Sequence, residues 1–204
     1  MKIERGATPL FACNLQPWYL KKKTHEIKDF KMALSQVLVT VGTTNFDDLI
    51  DKTQSDEVLQ ILKSKGCKKL IIQFGNGQIE PHVKHNSDDF TVDSYDYKSS
   101  LADDIKSSDL VISHAGAGTS LEVLEAGKLL VTVVNESLMD NHQLELAKKF
   151  YEQGYSLYCV PNDLPVTLKS LTPTKIKQLK PFPPSSTYKF NDYLENVLGF
   201  SQIK

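Results

Sequence analysis

Six short apolar runs divide the middle of this chain: Val37–Val41, Leu70–Gln73, Phe90–Tyr95, Leu110–Ser113, Leu129–Val134 and Ser156–Val160. Runs of this length, rich in Val, Ile and Leu and bounded by Gly or polar residues, suit strands, and the most apolar of them, Leu129–Val134, suits a central one. Between them lie stretches with helical spacing. Phe46, Leu49, Ile50, Val58, Ile61 and Leu62 repeat on one face before Gly66, a helix stop. Leu101 and Ile105 follow, ending near Ser108, then residues 119–126. Residues 140–153 carry Leu144, Ala147 and Phe150 on one face, with Gly154 at the end. Strands alternating with helices at this spacing imply crossover connections, hence a parallel sheet covered on both sides. The pattern predicts a single α/β domain with a Rossmann-like sheet.

At 204 residues the chain holds one such domain and some decoration. Residues 1–35 show no periodicity and read as a poorly ordered N-terminal extension, with residues 36–180 as the domain. After Val160 the chain turns proline-rich, and residues 181–204 read as a Pro-rich connector and a C-terminal helix. In that helix Phe190, Tyr193, Leu194, Val197 and Leu198 form an apolar stripe. Net charge is +4 over residues 1–36, −9 over 37–167 and +4 over 168–204. An acidic body without a basic-aromatic motif argues against nucleic acid. Cys13, Cys67 and Cys159 are scattered, which fits inert thiols in a reducing compartment rather than a disulfide framework or a zinc site. Lacking an apolar run long enough to span a bilayer, and with a poor signal peptide, the chain is expected in the cytoplasm.

The most informative segment is Ser113-His114-Ala115-Gly116-Ala117-Gly118-Thr119-Ser120-Leu121-Glu122, between a strand and a helix. Ligands of open α/β sheets bind at such turns. Gly116 and Gly118 let backbone approach a phosphate, and the new helix offers unpaired N–H groups and the positive end of its dipole. Thr119 and Ser120 add hydroxyls. A glycine pair at a strand–helix turn equally serves a tight bend with no ligand. Glu122, one turn into the helix, points back along the same face toward a ribose attached to such a phosphate.

The spacing His-x-Gly-x-x-Thr-Ser-x-Glu resembles the donor-site signature of GT-B glycosyltransferases that use UDP-sugars. That resemblance assigns His114, Thr119 and Ser120 to the diphosphate and Glu122 to the ribose hydroxyls. Asp140-Asn141-His142-Gln143 looks like the Asp-x-x-Gln that lies over the donor sugar in the same families, so Gln143 is implied for an N-acetylglucosamine hydroxyl, with His142 beside it. Gly42-Thr43-Thr44 and Gln73-Phe74-Gly75 correspond to loops that face the donor in the bacterial peptidoglycan N-acetylglucosaminyltransferase. Tyr97 falls where that family's backbone recognises uracil, its ring expected to pack rather than to read the base.

With Val-Thr-Val-Gly-Thr-Thr-Asn-Phe, Gln-Phe-Gly and Leu-Met-Asp-Asn-His-Gln added, residues 36–200 closely resemble the small donor-binding subunits of the dolichol-pathway UDP-N-acetylglucosamine transferase. The resemblance implies the C-terminal, donor-binding half of a GT-B enzyme. It implies transfer of N-acetylglucosamine from UDP-N-acetylglucosamine to N-acetylglucosaminyl-diphosphodolichol. It also implies a membrane-anchored partner that binds this acceptor and recruits the chain to the cytosolic face of the endoplasmic reticulum. One departure is Leu129, where relatives often carry Pro.

Inverting transfer needs a base and a group that stabilises the departing diphosphate. The helix after Gly118 suits the second task. No Asp-x-Asp pair is present, so neither metal nor cofactor is expected. The base has no evident owner here and is expected on the partner. A self-sufficient enzyme or epimerase of the same fold, and a non-catalytic nucleotide-sugar sensor, are the rival readings.

Overall fold

The computed structural model describes residues 34–81, 89–136, 142–184 and 195–198. The six runs form strands β1 (Gln36–Thr40), β2 (Lys69–Gln73), β3 (Thr91–Tyr95), β4 (Leu110–His114), β5 (Leu129–Val133) and β6 (Leu157–Cys159). They make one sheet in the order β3-β2-β1-β4-β5-β6, every neighbouring pair parallel. The chain builds outward from β1 to β3, returns to lay β4 on the other side of β1, and continues to β6. The connections leaving β1 and β4 therefore diverge, which opens a crevice at the carboxyl ends of these two strands.

Strand alternation sends successive side chains to opposite faces, and each face finds its own helices. Val37, Val39, Leu70, Ile72, Leu110, Ile112 and Val131 pack with residues of α1 (Asp47–Thr53), α2 (Asp56–Ser64) and α6 (Leu164–Ser170). Leu38, Ile71, Val111 and Leu130 pack on the other face with residues of α3 (Ala102–Ser107), α4 (Ala117–Glu125) and α5 (His142–Gln153). The buried thiols Cys67 and Cys159 belong to the first layer, and burial pushes both up to about 11, as inert core thiols require. Cys13 lies outside the described residues.

Several boundaries differ from the sequence reading. The amphipathic stretch before Gly66 is two helices, because the Ser55 side chain accepts from the Val58 N–H and starts α2. The domain takes in Leu34, which is buried and donates its N–H to the Lys65 carbonyl. The proline-rich stretch after Val160, given no elements in the sequence reading, is helical as far as Gln178. Pro161 opens a 3₁₀ turn, Pro165 lies in the first turn of α6, and Pro173 begins α7 (Pro173–Gln178). Proline lacks an N–H, and the first turn of a helix is where none is needed.

The connector at Pro181–Pro184 is held to the domain. The Lys180 N–H donates to the Gly154 carbonyl at 2.8 Å, and the Phe182 ring meets Phe150 and Tyr155 edge-on at 6.1 and 5.0 Å. Residues 195–198 are helical, with Val197 62% and Leu198 60% exposed. The remainder of the expected stripe, Phe190, Tyr193 and Leu194, lies outside the described residues, as does nearly all of the N-terminal extension. Among the described residues no helix is long and apolar enough to cross a membrane.

Candidate functional site

At the carboxyl ends of β1 and β4 lies an open cleft of about 360 Å³. Gly42 and Thr43 line it after β1, Gln73 at the end of β2, residues 97–101 after β3, and His114, Gly116, Gly118, Thr119 and Glu122 along the turn from β4 into α4. Four chain segments far apart in sequence thus meet at the switch point of the sheet.

The glycine-rich turn is shorter than expected, since α4 begins at Ala117 and Gly118 stands in its first turn. Helices α1, α2 and α3 each carry acidic residues in the first turn. Helix α4 carries none, and its N-cap Gly116 supplies no side-chain acceptor. Its leading N–H groups therefore face the cleft with no carboxylate or hydroxyl capping them. A side-chain carbon on Gly118 would meet nothing within 4 Å, so open space begins at its Cα.

His114 is 8% exposed, and its ring is held between two backbones. A Cβ on Gly42 would lie 2.9 Å from Cε1, and one on Gly116 would overlap Nε2. Gly42 also has φ +63°, a left-handed conformation that side chains disfavour. Nδ1 of His114 is buried without a hydrogen-bond partner among the described residues. Burial lowers the imidazole pKa below its ordinary value, opposed in part by the Thr40 carbonyl, so the ring is neutral at neutral pH.

Gln73 is 1% exposed, and its amide is fully occupied by the chain. Oε1 accepts from the Thr40 hydroxyl and from the Gly42 N–H at 2.8 Å, while Nε2 donates to the Gly42 and Asp96 carbonyls, both at 2.7 Å. Gln73 therefore forms part of the cleft wall without a polar atom left for a ligand, contrary to its expected role as a donor contact. Gly75 has φ +63° and is buried; a Cβ there would lie 2.6 Å from the Thr44 carbonyl and 2.8 Å from the Gly42 carbonyl. Its role is the close packing of two loops. Thr44 turns its hydroxyl back to the Val41 carbonyl at 2.7 Å and does not line the cleft.

On the β3 side, Tyr97 is 63% exposed, so its ring faces the cleft and solvent rather than packing as expected. Its N–H donates to the Asp96 carboxylate at 2.6 Å. The segment is anchored by Asp104, which accepts from the Tyr95 hydroxyl and, at 2.7 Å, from Lys98, whose ammonium also sits 4.0 Å from the Tyr95 ring centre. Partial burial works to raise the Asp104 pKa, but the hydrogen bonds from Lys98 and Tyr95 outweigh it and hold the carboxyl below its usual range. Burial, joined by the Asp104 charge, pushes the Tyr95 phenol up. Sequence reading missed this anchor, although Tyr95 and Asp104 stand at the end of a strand and the start of a helix.

Thr119 and Glu122 face the cleft together with His114, Gly116 and Gly118. Ser120 does not. It is wholly buried, because one residue of helix rotates it about 100° from Thr119, into the protein. Gln143, in the first turn of α5, is not among the residues lining the cleft; its Oε1 is buried without a partner among the described residues. His142 begins α5, and its side chain lies outside the described part.

A family model described as the glycosyltransferase family 28 C-terminal domain matches residues 36–197. The chain is 54% identical over 123 residues to the UDP-N-acetylglucosamine transferase subunit ALG13 of Homo sapiens, covering 60% of this chain and 11% of that protein. It thus spans about a tenth of the length of that relative. To the protein of the same name from Saccharomyces cerevisiae it is 34% identical over 193 residues, covering 79% of this chain and 95% of that one. A solution structure of ALG13 superposes with a TM-score of 0.56 at 31% identity, covering 79% and 96% of the two chains. The crystal structure of Acinetobacter baumannii MurG does so with a TM-score of 0.59 at 22% identity, over 79% of this chain and 50% of that one. This last likeness concerns the fold alone, one half of a GT-B glycosyltransferase.

Proposed function

The chain belongs to the glycosyltransferase family 28 C-terminal domain family, and from that premise we propose that its cleft binds UDP-N-acetylglucosamine as the donor half of a two-subunit transferase. Residues 36–180 are the donor-binding domain in this reading, flanked by an N-terminal extension and by a C-terminal connector and helix. The observation that carries it is the uncapped start of α4, free of acidic residues and opening on the cleft beside a buried neutral histidine. Such a terminus suits a diphosphate, whose charge grows as the glycosidic bond breaks.

In this reading the first N–H groups of α4 and the Thr119 hydroxyl hold the diphosphate. The neutral His114 ring stands beside it. Gly42 and Thr43 close the opposite wall, Glu122 accepts from the ribose hydroxyls, and residues 97–101 receive the uracil. Gln143, with His142 beside it at the start of α5, is assigned to the sugar, which requires its amide to turn out of the buried position it holds. The helix dipole does the work otherwise given to a metal ion, so no metal or cofactor is required. The partner, anchored in the membrane, supplies the base and the lipid-diphosphate acceptor N-acetylglucosaminyl-diphosphodolichol. It recruits this chain from the cytoplasm to the cytosolic face of the endoplasmic reticulum. The names of relatives at 54% and 34% identity support the donor and the word subunit.

The test is calorimetry of the chain with UDP-N-acetylglucosamine in EDTA, followed by transfer to a lipid-diphosphate acceptor once the partner is added. Metal-dependent binding refutes the role given to α4. Full activity of the isolated chain refutes the divided site. Binding without transfer in the reconstituted pair turns the reading to a nucleotide-sugar sensor.

A further inference from the structure

We propose that Gln73 is a positioning residue that sets the distance between the phosphate end and the nucleobase end of the cleft. This deepens the nucleotide-sugar reading and rests on it. The Gln73 amide joins two loops directly, beside the weaker link that Gly75 and Asn76 make through Asp96 and Thr43. Its Nε2 bridges the Gly42 carbonyl, on the loop packed against His114, and the Asp96 carbonyl, next to Tyr97. Its Oε1 takes the Gly42 N–H and the Thr40 hydroxyl. Gly42 is thus gripped by both its N–H and its C=O, and Asp96 also accepts from the Gly75 N–H at 3.1 Å.

The amide orientation follows from these partners. Two carbonyls face Nε2, and a flipped side chain would set its oxygen against both of them. Gln73 is 1% exposed and Thr40 wholly buried, so the amide and the hydroxyl it binds are out of reach of water and a substitution leaves them unsatisfied, whereas Gly42 is half-buried and Asp96 exposed. Thr40 and Gln73 are directly paired across β1 and β2, so the clamp is rooted in the sheet rather than in the loops it holds. UDP must meet His114 and α4 at one end and residues 97–101 at the other. Binding of the whole nucleotide gains over its pieces only if the two ends stand at the right separation.

Gln73→Glu keeps the shape and replaces the donating amide by an acceptor facing two carbonyls. The measurement is binding of UDP, uridine and inorganic pyrophosphate, each by NMR titration of the full chain well below its melting transition. The expected result is UDP binding weakened about tenfold in Gln73→Glu, with uridine and pyrophosphate within about twofold of wild type. A folded variant that binds UDP as wild type overturns the proposal. So does one that loses both fragments as much as UDP, which means a collapsed site. Should Gln73→Glu not fold, Thr40→Val decides. It removes the hydroxyl that holds Oε1 and keeps the volume, and is expected to weaken UDP about threefold while sparing the fragments; unchanged UDP binding overturns the proposal. A wild-type chain that does not bind UDP at all overturns the nucleotide reading itself, and this proposal with it.

Discussion

The His114 ring and the Gly42 backbone are in contact so close that a Cβ on Gly42 would stand 2.9 Å from Cε1. They are brought together by the pairing of β1 with β4, where Thr40 lies opposite Ser113. The contact keeps the imidazole buried and neutral beside the cleft, and it sets Gly42 apart from Gly118, another glycine of the site, in its tolerance of change.

Gly42→Ala combines a left-handed φ of +63° with a clash on His114. It is expected to cost about 1–2 kcal/mol of stability from the backbone alone, and to weaken UDP binding by moving the ring. Gly118→Ala meets no protein atom within 4 Å and sits in a helix. It is expected to leave stability unchanged or to raise it by up to about 1 kcal/mol, while still obstructing the diphosphate. Thermal melts and UDP titrations of both variants test the contrast. Equal stability loss in the two removes the argument that Gly118 is kept bare for a ligand.

Glu122 is exposed on α4 and takes part in no ion pair among the described residues. Glu122→Ala is therefore expected to leave stability within about 0.5 kcal/mol and to weaken UDP-N-acetylglucosamine by about 2–4 kcal/mol through lost ribose hydrogen bonds. A variant that unfolds easily but binds normally makes Glu122 a structural residue.

The buried His114 has a pKa lowered from 6.5. Below that value the unfolded chain binds a proton more readily than the folded one. Its contribution to stability is thus complete above about pH 6.5 and falls as pH drops through 6.5 toward the folded-state value. Urea midpoints of wild type and His114→Gln between about pH 7.5 and 5 measure the difference. The wild type is expected to lose more stability on acidification, and parallel curves refute the burial argument.

The connector is pinned by Phe182, and beyond it Val197 and Leu198 are exposed. Deleting residues 187–204 keeps the pin and is expected to preserve the melting temperature and UDP binding while abolishing capture of the proposed membrane-anchored partner. Phe182→Ala is expected to cost about 1 kcal/mol of stability from its two edge-on ring contacts. If the truncated chain still binds the partner, the exposed apolar pair serves something else.

Local pattern alone was enough to locate every strand among the described residues, because a parallel strand buried on both faces writes itself as a short apolar run that ends in Gly or polar residues. It was also enough for the glycine-rich turn, where residues adjacent in sequence act together: His114, Gly116, Gly118, Thr119 and Glu122 all reach the cleft. It failed where neighbours in sequence point apart, as Thr119 and Ser120 do. It was silent on the helices that Pro165 and Pro173 begin, because a proline in a first helical turn leaves no apolar period of its own. The role of Gln73 had no local signal at all. That amide is engaged only because β1 and β2 pair in the register that sets Thr40 opposite it, and because β3 then brings the Asp96 carbonyl alongside. Periodicity is a property of consecutive residues and is legible in one dimension. Which side chain a buried polar group satisfies depends on strand register across the sheet, and only the tertiary structure decides that.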